Sequence, residues 1–121
     1  MNELDNQRRN NYIKKLVSNS RAILTNQITI PVGSQKMEKI IFWINAIKPI
    51  IEVDLKVFID LNNQTGDYPI GTDRLSYEKN FLAKLDSELN PLVKSFKDDI
   101  IKKCEEIIQV FGENRTAANT G

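Results

Sequence analysis

The chain has no histidine, a single cysteine and no glycine-rich loop. Each absence closes a route to chemistry. Without histidine, the commonest general base and metal ligand at neutral pH is missing. Ser–His and Cys–His nucleophile pairs cannot be assembled. Cys104 alone excludes an intrachain disulfide and leaves too few ligands for an ordinary zinc site. Gly33, Gly66 and Gly71 stand apart, so neither a GxxxxGK(S/T) loop nor a GxGxxG turn is present to cradle phosphates. The run from Asp60 to Gly66 sets its glycine one residue late for a calcium-binding loop. Asp and Glu are scattered with no pocket signal. These absences lead us to expect a non-enzyme with no cofactor and no bound metal.

Long apolar runs are missing too. The richest cluster, Ile40 to Ile51, is broken by Asn45, Lys48 and Pro49, too short and polar to span a bilayer. Met1 to Asn11 is almost wholly polar and unlike a signal peptide. With one cysteine, the expectation is a soluble protein in the reducing cytoplasm.

What remains is ordinary for a globular domain: 121 residues, 40% hydrophobic and 27% charged. The net charge of +1 gives nucleic-acid binding no support. The charge is unevenly spread, however. Residues 1–48 hold eight Lys/Arg against three Asp/Glu, and residues 49–121 hold nine against thirteen. From Glu52 to Asp73 there are five acidic residues and one basic. An acidic patch there would suit a basic partner.

Helical periodicity dominates. Ile13, Leu16, Val17, Ser20, Ile23 and Leu24 define one face of a first helix beginning near Leu4. Residues 27–33, with Pro31 and Gly33, read as a short strand or a tucked-in loop. Ser34 is placed to cap a second helix whose inner face is Met37, Ile40, Ile41, Ile44 and Ile47, with a boundary or kink at Pro49. The segment 50–61 fits two templates. Ile51, Val53, Leu55, Val57, Ile59 and Leu61 alternate as in a strand. Ile51, Leu55, Phe58 and Leu61 also share a helical face, with Glu52, Lys56 and Asp60 along its edge. A lone strand would have no partner, so helix is the expectation. Residues 62–75 read as one long irregular loop, and such loops are often functional. Ser76 can cap a fourth helix presenting Phe81, Leu82, Leu85 and Leu89. Asn90-Pro91 reads as the start of a fifth, although one bent helix also fits. Val93, Phe96, Ile100, Ile101, Cys104, Ile107, Ile108 and Phe111 keep one face up to a stop at Gly112. The expected fold is all-α: one domain over 1–112, a bundle of about five helices with a long loop, and a polar tail at 113–121.

Several residues carry two readings. Cys104 reads as a small core residue rather than a reactive thiol. Trp43 is a core-edge ring or an interface anchor. Arg8, Arg9, Lys14 and Lys15 are a solvated face or a nucleic-acid patch. In the long loop, Ile70 and Arg74 tie the chain down, while Asp67, Tyr68 and Asp73 project as an acidic, aromatic lip. An anchored loop makes the better preorganised interface.

Val57-Phe58-Ile59 and Tyr68-Pro69-Ile70-Gly71-Thr72-Asp73-Arg74 are the distinctive elements. With them go Arg21-Ala22-Ile23-Leu24, Leu82-Ala83-Lys84-Leu85-Asp86 and Cys104-Glu105-Glu106-Ile107-Ile108. Over residues 10–110 the combination resembles a family of small helical bacterial proteins of mostly unassigned function. Some of that family's relatives look like immunity proteins of contact-dependent growth inhibition and other polymorphic toxin systems. The resemblance implies an inhibitor that binds a cognate toxin domain and occludes its active site or substrate path. Against a nuclease toxin, Glu52, Asp54, Asp60, Asp67 and Asp73 could stand in for phosphates, with Tyr68 or Trp43 as anchors. The alternative is a small helical adaptor, monomer or homodimer, meeting RNA or a protein through its basic first helix.

Overall fold

The computed structural model describes residues 2–112, and the expected polar tail lies outside them. Helix α1 spans Glu3–Leu24, capped by Asn2, whose side chain accepts the Asp5 N–H at 2.7 Å. Its acidic first turn and Arg21 in the last turn complement the helix dipole. The chain leaves α1 through Asn26, whose φ of 60° is the left-handed conformation Asn tolerates better than most residues.

Helix α2, Ile30–Ile47, begins one turn before the sequence suggested. Thr29 is the cap, accepting the Val32 N–H, and Pro31 lies in the first turn, where its missing N–H costs nothing. The strand-or-loop reading of residues 27–33 is corrected accordingly, as is the assignment of Ser34 as cap. Ser34 is fully buried and donates to the Phe58 carbonyl at 2.9 Å. The two helices run antiparallel. Asn19 Nδ2 donates to the Gly33 carbonyl at 3.0 Å, and Arg9 reaches the Lys48 and Pro49 carbonyls at 2.8 and 3.2 Å. Arg9 thus closes the C-terminus of α2 instead of joining a free basic face.

The ambiguous segment 50–61 divides. Residues 50–55 are non-helical, with Val53 and Leu55 buried and Ile51 exposed. Helix α3, Lys56–Thr65, starts only after Asp54 accepts the Lys56 N–H at 2.9 Å. It then runs on through Asn62–Thr65, the first third of the expected loop. Tertiary contact explains the extension: Asn62 Nδ2 donates to the Ser34 carbonyl at 3.0 Å and to Glu38 Oε1 at 2.7 Å. A 3₁₀ segment at Gly71–Ser76 orders the far end of the same stretch, leaving five residues as irregular connection.

Helix α4 is continuous over Lys79–Ile107. Glu78, not Ser76, caps it by accepting the Phe81 N–H at 3.0 Å. Pro91 sits inside the helix, so Asn90 starts nothing new. A π-helical turn, Ile108–Gly112, follows. Gly112 packs on α1, where a Cβ would stand 3.3 Å from Val17 Cγ1.

The four helices share one core. Leu16 of α1, Met37 and Ile44 of α2, Phe58 and Leu61 of α3, and Ile100, Cys104 and Ile107 of α4 are fully buried. Each large side chain contributes about 1.5–3 kcal/mol by leaving water. The result is an all-α single domain, with no strand among the described residues. The first ten residues of α4 contribute no buried side chain. Phe81, expected inside, is 46% exposed, so this end of the helix serves as a platform instead of core.

Candidate partner-binding site

The platform carries the 66–77 stretch. Pro69 and Ile70 are buried and seat it on the bundle. Gly71 follows at φ 64°, a conformation that favours glycine. Arg74 then reaches α4 and grips Asp86 with two parallel hydrogen bonds of 2.7 and 2.8 Å. These bonds raise the Arg74 pKa and hold the Asp86 carboxyl below its usual value. Tyr68 donates to Glu88 Oε1 at 3.3 Å. Loss of hydration raises its hydroxyl pKa, and the Glu88 and Asp67 carboxylates add to the effect.

So anchored, the stretch forms a shallow concavity of about 330 Å³ bounded by Asp67, Tyr68, Asp73 and Tyr77. Beside it Tyr77 stacks on Phe81, ring centroids 6.0 Å apart. Leu75 stands 86% exposed on the same stretch. The lip is therefore an apolar and aromatic group edged by carboxylates. In the sequence neither Leu75 nor Tyr77 is singled out, and Phe81 reads as part of an inner helix face. Aromatic residues four apart across a helix start were the available signal, overridden by assigning Phe81 to the core.

Of the seven residues the sequence nominated, Asp67, Tyr68 and Asp73 come together here. The others do not join them. Asp54 and Asp60 line a groove between α3 and α4 shared with Lys56, Lys102 and Lys103, so no purely acidic patch forms there. Glu52 is exposed, and its carboxylate accepts the Ile51 N–H. Trp43 lies on the α1–α2 face, its ring 5.5 Å from that of Tyr12.

No protein-family model matches this chain, and neither curated proteins nor solved structures give a significant match. The site is therefore read from its own geometry.

Two further grooves flank the α1–α2 corner. One, of about 530 Å³, runs between α1 and α2 and is lined by Lys15, Lys36, Lys39, Asn19, Ile28 and Trp43 among others. The second, of about 640 Å³, lies between the corner, residues 69–71 and α4, with an apolar floor including Ile30, Pro69, Ile70 and Leu89. Its polar lining includes Arg74, Asp86, Lys94 and Lys97. Cys104 takes no part in any of these surfaces; it is fully buried, and burial pushes its thiol up to about 11. Among the described residues there is no group of three His, Cys, Asp or Glu side chains able to hold a metal ion. No helix among them is long and apolar enough to cross a membrane.

Proposed function

We propose that this chain is a non-catalytic inhibitor of the immunity type, which neutralises a cognate toxin domain by covering its active site or substrate path. The observation that carries the reading is the 66–81 lip. The stacked, exposed Tyr77–Phe81 pair supplies an aromatic centre of the kind that dominates protein interfaces, with exposed Leu75 on the same stretch. Asp67 and Asp73 edge it and favour a basic partner surface, such as a nuclease cleft built to hold phosphates. The Arg74–Asp86 and Tyr68–Glu88 contacts order the lip in advance, which lowers the entropy lost on docking. The Tyr68–Arg74 element also resembles a family of small helical bacterial proteins, some of whose relatives look like immunity proteins.

The reading predicts a toxin gene directly upstream, and its test is co-expression of this chain with the toxin domain of that gene. Growth is rescued by the native chain and lost with Tyr77→Ala/Phe81→Ala or Asp67→Lys/Asp73→Lys, while circular dichroism shows each variant still helical. Truncating a central interface aromatic weakens binding by about 2 kcal/mol or more, some thirtyfold. Absence of rescue by the native chain, or rescue indifferent to both variants, rejects the proposal.

A further inference from the structure

The α1–α2 groove and the groove beside α4 are both lined by Ile28, so they meet at that side chain. The lining carries Lys15, Lys36 and Lys39 in the groove that holds Trp43 and, past the shared Ile28, Lys94 and Lys97 in the other. All five lysines are exposed, and none forms an ion pair among the described residues. The single carboxylate along the track, Asp86, is already held by Arg74. Glu38, next to Lys39 in sequence, is engaged by Asn62 of α3, and Asp98, four residues beyond Lys94, lines neither groove. Five uncompensated cations along two adjoining grooves match an extended polyanion better than a compact anion, which would need only one cluster.

We propose that this track binds single-stranded nucleic acid, its phosphates running along the lysines and one base stacking on Trp43. Trp43 decides the choice over an acidic protein segment. Trp43 is 39% exposed at one end of the track, its ring centroid 5.5 Å from that of Tyr12. An aromatic pair in a basic groove offers a π-face to a planar base, for which an acidic peptide has no counterpart. A duplex keeps its base faces stacked, so the strand must be single. The near-neutral total charge does not bear on this site, because Asp86 is the one carboxylate that lines either groove. The proposal stands independently of the inhibitory reading and uses a different face.

Trp43 is the only tryptophan, so its fluorescence reports on the site directly. The full chain is titrated with twelve-residue oligo-dT and oligo-U and, separately, with a polyglutamate peptide of equal length. Quenching by the oligonucleotides and not by polyglutamate is expected. At about 0.7 counterions released per phosphate, five contacts weaken binding on the order of 10²-fold between 50 and 200 mM salt. Lys36→Glu/Lys39→Glu and Lys94→Glu/Lys97→Glu each weaken it at least tenfold, while Lys56→Glu/Lys102→Glu, in the α3–α4 groove, does not. A labelled strand followed by anisotropy gives the same comparison for Trp43→Ala, expected to bind about tenfold or more weakly. Equal quenching by polyglutamate assigns the track to an acidic protein and overturns the proposal. So does failure of either oligonucleotide to bind, or binding unchanged by both track variants.

Discussion

Gly33 offers the sharpest test of the packing described above, because two terms of known sign compete there. Gly33 lies in the first turns of α2 and is buried against α1. In an open helix, replacing glycine by alanine stabilises by about 1 kcal/mol. Here an added Cβ would stand 2.5 Å from Ile23 Cγ1, 2.7 Å from Ile23 Cδ1 and 3.1 Å from Ile28 Cδ1. Ile23 is only 3% exposed and has little room to swing away. Overpacking of this kind costs about 1–3 kcal/mol. The difference leaves Gly33→Ala destabilised by about 1 kcal/mol. For a domain this size, that moves a urea midpoint down by roughly 0.5–1 M. Ile23→Ala checks the cause. Alone it should cost about 2–5 kcal/mol through the cavity it leaves. On the Gly33→Ala background it should cost less, because the new methyl enters the vacated space, with a coupling of at least about 0.5 kcal/mol. A rise in midpoint for Gly33→Ala, or strict additivity of the pair, would refute the close α1–α2 approach as the reason for glycine.

Other outcomes follow from single contacts. Ser34→Ala removes the buried bond to the Phe58 carbonyl and should lower unfolding free energy by about 1 kcal/mol in a urea titration; no change would mean that this bond does not hold α3 to α2. Because Asp86 has a depressed carboxyl pKa when folded, its pairing with Arg74 stabilises above the unfolded value and is lost as pH falls through the folded one. The melting-temperature gap between the native chain and Asp86→Asn should therefore hold steady at neutral pH and close below about pH 3.9; a gap that widens on acidification contradicts it. Cys104, fully buried with its thiol pushed up to about 11, should ignore a thiol reagent at pH 8 and react in step with unfolding as urea is added. Pro91→Ala restores a donor inside α4, worth up to about 3 kcal/mol, against about 0.4–1 kcal/mol of unfolded-chain entropy, so thermal melting should move upward.

Helical periodicity was legible in the sequence because each helix buries one face. The spacing of Leu16, Val17, Ser20 and Ile23, or of Ile100, Cys104 and Ile107, needs no knowledge of the partner helix. The burial of Cys104 follows from that pattern alone; the all-α class needed also the argument that a lone strand at 51–61 has no partner. Three of the lip residues were also within reach, because Asp67, Tyr68 and Asp73 are close in the chain.

Boundaries and surfaces belonged to the tertiary structure. The caps are Thr29 and Glu78 in place of Ser34 and Ser76, and Ser34 is needed inside, where it meets Phe58. Asn62 continues α3 because α2 supplies acceptors for its amide. The alternation of residues 51–61 was real, but only Val53 and Leu55 turn inward from the non-helical stretch before the helix begins. The acidic run of the sequence is not one patch, since folding sends Asp54 and Asp60 to a groove with lysines and Asp67 and Asp73 to the lip. The basic track joins Lys15 of α1, Lys36 and Lys39 of α2, and Lys94 and Lys97 of α4, residues far apart in the chain. Local pattern specifies which side of each helix is buried; only the docking of the helices specifies which exposed sides become neighbours.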